Sequence, residues 1–337
     1  MRIVYMGTPQ IAATILEAIL KYCEKEPSME VVGVFTQPDK PVGRKQVMTP
    51  SEVKVLAQSA GIPVFAPRRI KKPVPVEHLK ELAPDLVLVC AYGQILSKEI
   101  LDIPALGCIN FHTSLLPKYR GAAPIQWAIA NGETVTGVTA MRMDEGMDTG
   151  DILLQRELPI DPADTAESLT DKLATLSAGL AEEILKRLKN GEELKRTPQD
   201  ASEATYAPIL QKEDGKMDFA SSAASLADHC RGFYPWPGTY CYQEDGKKLT
   251  VLECKALSAS VPEDTAETAA AKISTEELAA GTLVPSFLEG KHPRMVVTTG
   301  DGLLEILRLK PEGKGEMAAE AYLRGLRNLK EIKHVLV

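Results

Sequence analysis

No stretch of this chain approaches the ~20 uninterrupted apolar residues that a membrane-spanning helix needs. The opening Met1-Arg2-Ile3-Val4-Tyr5-Met6-Gly7 has neither the basic region, the long apolar run nor the small-residue cleavage site of a secretion signal. A cytoplasmic location is expected. The six cysteines, Cys23, Cys90, Cys108, Cys230, Cys241 and Cys254, include no Cys-x-x-Cys pair. In a reducing compartment they read as free thiols, so neither a disulfide framework nor a zinc site organises the fold.

An excess of positive charge is also missing: 39 Lys and Arg face 46 Asp and Glu, for a net charge of −7. A simple nucleic-acid binder would be basic. Part of the acid is local, however. The segment Pro262 to Ala280 carries Glu263, Asp264, Glu267, Glu276 and Glu277 against Lys272, so a basic face elsewhere is compatible with the composition. The first turn holds the single glycine Gly7, and the absence of a G-x-G-x-x-G spacing argues against a dinucleotide site.

What is present is a pattern of strands and helices in alternation. Arg2–Met6, Val31–Phe35, Ile62–Phe65, Asp85–Ala91 and Leu106–Phe111 read as strands, the last two as continuous apolar runs of the kind a parallel sheet covers on both faces. Between them, helical spacing recurs at Ile11, Ile15, Ala18 and Ile19, from Ser51 to Ala60 before Gly61, and within Lys71 to Leu82. Ile152 to Ile160 reads as an edge strand and Thr165 to Asn190 as a long amphipathic helix. Alternation over this length predicts a doubly wound parallel α/β sheet with its ligands beyond the strand C-termini.

At 337 residues the chain exceeds one core of roughly 100–200 residues, so two domains are expected. They are placed at 1–190 and 210–337, joined by a polar linker at 191–209. The second is β-rich, a small barrel or open sheet. Its signals are strands at Thr239–Tyr242 and Leu249–Cys254, a hairpin from Met295–Thr299 to Leu303–Leu309, and helices near Asp218–Cys230 and Met317–Leu326.

Chemistry concentrates between Gly107 and Asp151. Side chains of a strand alternate, so Asn110 and His112 share a face at the end of an apolar run. An amide donor and an imidazole side by side suit a carbonyl oxygen that becomes an oxyanion, with a carboxylate managing the proton. Asp148, in the loop Asp148-Thr149-Gly150, is the candidate carboxylate. His112 alone reads equally well as a structural histidine; its company favours a site.

The run Asn-x-His-x-Ser-Leu-Leu-Pro-x-Tyr-Arg-Gly from Asn110 to Gly121, followed by Asp148-Thr149-Gly150, resembles the signature of the 10-formyltetrahydrofolate-dependent formyltransferase family. Phe35 to Arg44, Arg120 to Gln126 and Met143 to Ile152 are similar to the branch that acts on methionyl-tRNA. Ala204–Pro208, Lys212–Gly215, Pro235–Gly238, Thr299–Gly302 and Leu323–Gly325 extend the resemblance over nearly the whole chain.

The resemblance implies a Rossmann-like catalytic domain followed by an oligonucleotide-fold-like barrel that helps hold tRNA. It further implies transfer of the formyl group of 10-formyltetrahydrofolate to the α-amine of methionyl initiator tRNA, with tetrahydrofolate released, no metal, and a monomeric enzyme. Asn110, His112 and Asp148 become the catalytic set. The folate wall falls on Ala91, Tyr92, Gly93, Gln94, Ile95 and Leu96 together with Ser114, Leu115, Leu116 and Pro117. Acceptor contacts fall on Arg44, Lys45, Lys118 and Arg120. Lys118, Arg120, Arg308, Lys310, Lys314, Arg324 and Arg327 could border an RNA path, although each taken alone reads as an ordinary surface charge; Tyr234 and Tyr240 could stack on bases, while Trp236 between two prolines is expected to pack.

Three departures from the family pattern stand out. Gly43-Arg44 is followed by Lys45-Gln46-Val47 rather than by more lysine, Ser97 stands where proline usually follows Tyr-Gly-x-Ile-Leu, and Pro262 to Ala280 is an acidic insertion. Rival readings are a sugar-nucleotide amine or water as acceptor, or a non-catalytic folate- or RNA-binding relative. The last would be expected to have lost part of the Asn/His/Asp set.

Overall fold

The computed structural model describes residues 1–43, 45–257, 278–288, 292–326 and 336. Arg44, Arg327 and the acidic segment up to residue 277 lie outside the described residues. The chain divides into two compact units: Met1–Ile125, Val135–Ile160 and Ser168–Pro208 form the first, and Gln126–Thr134, Asp161–Glu167 and Ile209–Val337 the second.

Unit 1 begins with β1 (Arg2–Gly7), whose Ile3, Val4, Tyr5 and Met6 are fully buried, as expected of a central strand covered on both faces. The turn into α1 (Gln10–Lys25) needs Gly7, because a Cβ there would sit 2.7 Å from that of Ala12. Gly7 therefore serves helix packing. Ile11, Ile15, Leu16 and Ile19 form the buried stripe of α1. The chain continues through β2 (Glu30–Phe35), an exposed hairpin of β3 (Lys40–Val42) and β4 (Val47–Thr49), and α2 (Glu52–Ser59). Ser51 caps α2 by accepting from the Lys54 amide at 3.1 Å, and Gly61 takes φ +70° just after it.

Next come β5 (Val64–Phe65), α3 (Pro73–Glu81), β6 (Leu86–Cys90), α4 (Lys98–Leu101), β7 (Cys108–His112), β8 (Arg120–Gly121), α5 (Pro124–Ala130), β9 (Val135–Arg142), β10 (Ile152–Pro159) and α6 (Ala166–Lys189). Among the described residues seven strands form one sheet in the order β10-β9-β7-β6-β1-β2-β5. From β7 to β5 the neighbours are parallel. β9 and β10 are antiparallel additions, so the expected parallel sheet is a mixed one. β9 carries no strand reading in the sequence because Gly137 and two threonines interrupt its apolar run, yet its residues from Thr136 to Met141 are buried.

The stretch expected as a linker, 191–209, groups with unit 1 up to Pro208. Thr197 and Ile152 exchange backbone hydrogen bonds of 2.8 and 2.9 Å, and β11 (Tyr206–Ala207) runs parallel to β8. A polar, irregular segment satisfies its backbone here on neighbouring chain rather than in water.

In unit 2, α7 (Ala223–Gly232) packs against β13 (Lys248–Leu257) and β15 (Leu303–Pro311) of a sheet that also holds β12 (Thr239–Tyr242), β14 (Met295–Thr298) and β16 (Met317–Ala318). The described strands run β12-β13-β15-β14, with β16 on β15, all antiparallel. Leu226, Val251, Leu304, Ile306, Leu309 and Leu323 are buried in one core. The helix expected from Asp218 starts at Ala223, because Ser222 caps it by accepting from the Ser225 amide at 3.1 Å. No helix among the described residues is long and apolar enough to cross a membrane.

Candidate active site

β7 lies between β6 and β9, and its burial relents only at Asn110. The Asn110 amide has no hydrogen-bond partner among the described residues, which leaves both its donors for a ligand. His112 is 6% exposed. Its Nε2 lies 2.8 Å from the carbonyl of Tyr119. A carbonyl only accepts, so Nε2 carries the proton and Nδ1 is the remaining edge. Nδ1 stands 3.7 Å from Asp148 Oδ2, an ion-pair distance too long for a hydrogen bond.

Asp148 is therefore brought beside His112 from 36 residues away, as its reading as the carboxylate requires. Its Oδ2 accepts from the Gly121 amide at 2.9 Å. Asp148, Tyr119 and Ala91 adopt left-handed φ of 55°, 60° and 45°, each costing about 1–3 kcal/mol for a non-glycine residue unless the surroundings enforce it. They are enforced. The Tyr119 amide donates to Thr205 Oγ1 at 2.8 Å, and Gln199 Nε2 donates to the Asp148 carbonyl at 2.9 Å.

Of the residues expected in a folate wall, Ala91, Gly93 and Ile95 are exposed, whereas Tyr92 and Leu96 belong to the core. Gln94 is held by its neighbours, its Oε1 accepting from the Ile70 amide at 2.7 Å and its Nε2 donating to the Pro67 carbonyl at 2.9 Å. The Tyr92 hydroxyl is buried without a hydrogen-bond partner among the described residues, and burial pushes its pKa up. Ser114 is fully buried and donates to the Lys118 carbonyl at 2.6 Å, and Leu116 is buried, while Leu115 and Pro117 are half-buried. Ser97 sits at φ −79° and ψ 160° before α4, a conformation proline also adopts, so its departure costs the backbone nothing.

Sequence reasoning missed the residues that hold this wall. Thr139 Oγ1 donates to the Ser114 carbonyl at 2.7 Å and accepts from the Leu116 amide at 3.1 Å, and Gln155 Nε2 donates to the Leu116 carbonyl at 2.8 Å. Their only signal is a polar residue on each of two adjacent strands. Arg120, expected at the acceptor, is 5% exposed and donates to Gln199 instead. Lys118 is exposed, and Lys45 is exposed in the β3–β4 turn beside Val42, Val47 and Met48. Burial pushes the Cys108 thiol up to about 12, as it does that of Cys90, which disfavours the thiolate a nucleophile needs.

In unit 2, Arg308 and Lys310 project from the exposed face of β15, flanking buried Leu309. Arg308 pairs with Glu316 at 3.4 Å and Arg324 with Glu320 at 2.6 Å. Trp236, expected to pack, is 52% exposed. Tyr240 is covered in part by Lys248, whose Nζ lies 3.6 Å from the ring centre.

A family model described as formyl transferase matches residues 1–184, and one described as formyl transferase, C-terminal domain, matches 209–327. Methionyl-tRNA formyltransferase of Geobacter sulfurreducens is 42% identical over 97% of this chain and 94% of its own length. That of Thermodesulfovibrio yellowstonii is 41% identical over 96% and 95%. Among solved structures, a sugar 3N-formyl transferase in the presence of dTDP and 5-N-formyl-THF aligns with a TM-score of 0.63 at 19% identity, covering 94% of this chain and 99% of that one. The N-formyltransferase of Helicobacter canadensis with folinic acid and dTDP-3-aminofucose gives 0.62 at 19%, covering 90% and 98%. At that identity the likeness extends to the fold alone.

Proposed function

This chain belongs to the formyl transferase family, and from that premise we propose that it transfers the formyl group of 10-formyltetrahydrofolate to the α-amine of methionyl initiator tRNA. The observation that carries the reading is His112 facing Asp148 at 3.7 Å, with an unengaged Asn110 amide two residues earlier on the same face of β7. Full-length similarity to methionyl-tRNA formyltransferases selects the acceptor.

In this reading the amine attacks the formyl carbon. A C–N bond forms, the carbonyl becomes an oxyanion, and the C–N10 bond then breaks while the amine's proton passes to N10. Asn110 donates to the oxyanion, and a cationic His112 donates from Nδ1, since Nε2 is already committed to Tyr119. Asp148 balances that cation and relays the proton through water. Conjugation of N10 with an aryl ring makes it a good enough leaving group to proceed without a metal. Exposed Ala91, Gly93 and Ile95, with Leu115 and Pro117, meet the folate; Arg44, Lys45 and Lys118 meet the acceptor end. Residues beyond Pro208 contribute tRNA affinity, and the enzyme acts as a cytoplasmic monomer.

The test offers the purified chain 10-formyltetrahydrofolate with charged initiator tRNA, charged elongator tRNA, a sugar-nucleotide amine, or water alone. Rapid formylation of the initiator only is expected. Preferential formylation of the sugar amine, or release of formate without an acceptor, would overturn the choice of acceptor.

A further inference from the structure

Gln199 lies in the stretch whose composition reads as a linker and takes no part in the chemistry above, yet each face of its amide is used. Nε2 donates to the carbonyls of Asp148 at 2.9 Å and Gly150 at 2.7 Å, on either side of Thr149. Oε1 accepts from Arg120 Nε at 3.0 Å and Nη2 at 2.7 Å. Arg120 is 5% exposed and has no carboxylate partner among the described residues. Its guanidinium polarises the Gln199 amide, strengthening the two bonds that the amide donates. The next residue, Gly121, donates to the Asp148 carboxylate. One short stretch thus holds Asp148 at both ends, the carboxylate directly and the backbone through Gln199.

We infer that Gln199 is a positioning residue for Asp148: it keeps the left-handed backbone at φ 55° in place and so fixes the carboxylate opposite His112 Nδ1. The inference rests on the proposed role of Asp148. A glutamine that merely tied 191–208 to unit 1 would alter stability without coupling to Asp148.

The experiment uses the full chain with Gln199→Leu, which removes every bond, and Gln199→Glu, which keeps the volume and an Arg120 partner but cannot donate to two carbonyls when ionised. Displacing a reacting group by about 1 Å can cost as much as ~10²-fold, so each variant should lower kcat by about 10- to 100-fold. KM for 10-formyltetrahydrofolate should stay within about twofold. Added to Asp148→Asn, Gln199→Leu should slow turnover by no more than about a further twofold, because both changes remove one function. Wild-type kcat in either single variant, or losses that multiply in the double variant, would overturn the inference. If Gln199→Leu does not fold, Gln199→Glu decides it. Asp148→Asn at the wild-type rate would instead sink the role of Asp148 itself.

Discussion

The bond from His112 Nε2 to the Tyr119 carbonyl decides which edge of the ring can meet a reacting atom. Asn110 and His112 are legible as a pair in the sequence, and Asp148 beside them, because period two and the Asp-Thr-Gly loop are local patterns. Which nitrogen faces the chemistry depends on a carbonyl seven residues on, and no local pattern reports it. Buried Arg120 escapes a local reading for a similar reason: its partner, Gln199, is 79 residues away. Two predictions belong here. Tyr92→Phe removes a buried hydroxyl with no partner among the described residues, so unfolding by urea should show stability unchanged or raised by about 1 kcal/mol. A loss of more than that would mean the hydroxyl is engaged. Cys90 and Cys108, held as thiols up to about 12 by burial, should resist iodoacetamide at pH 8 in the folded chain, with no loss of activity from modification at either position. Mass-spectrometric mapping of the alkylated sites is the check.

Elements with continuous apolar runs, such as β6, can be read directly; β9 and the 197–207 stretch cannot, because their partners rather than their composition make them ordered. Gly121 does carry a trace of that order. It sits at φ +123°, and a Cβ there would come within 2.5 Å of the Ala207 carbonyl. Gly121→Ala should therefore lower the unfolding free energy by at least ~1–3 kcal/mol from backbone strain, and accelerate proteolysis within 191–208. Limited proteolysis with the wild-type pattern would remove β11 from this role. In unit 2, Glu305 on β15 accepts from Arg294 Nε and Nη2 at 2.8 and 2.9 Å, and these bonds hold its carboxyl below the usual range. A depressed folded value means the stabilisation is present above the ordinary glutamate range, ~4.3, and disappears as pH falls through the folded value. With Arg294 half-exposed, Glu305→Gln should cost about 1 kcal/mol at pH 7. Urea melts at descending pH should show the difference from wild type closing; a constant difference would contradict the pairing.

At the scale of the molecule, the division at Pro208 matters more than the polar character of 191–208 suggests. A chain ended at residue 190 loses Gln199 and Thr205 from the surroundings of Asp148 and Tyr119, whereas one ended at Pro208 keeps them. The longer truncate should keep near-wild-type folate affinity, and the shorter one should unfold at a lower temperature, as calorimetry would read. Removing the residues beyond Pro208 should also weaken tRNA binding and flatten its salt dependence, by about 0.7–0.9 in log–log slope for each phosphate that unit 2 neutralises. Identical slopes for full-length and truncated chains would show that unit 2 neutralises no phosphates. The most direct measurement is the rate at which the purified chain moves the formyl group from 10-formyltetrahydrofolate onto methionyl initiator tRNA, beside His112→Ala under saturating folate. The wild-type chain should formylate the tRNA, and the variant should be slower by ~10²–10³-fold while binding folate normally, since the missing bond forms fully only in the transition state. Equal rates in the two proteins, or no transfer by the wild type, would contradict the assignment.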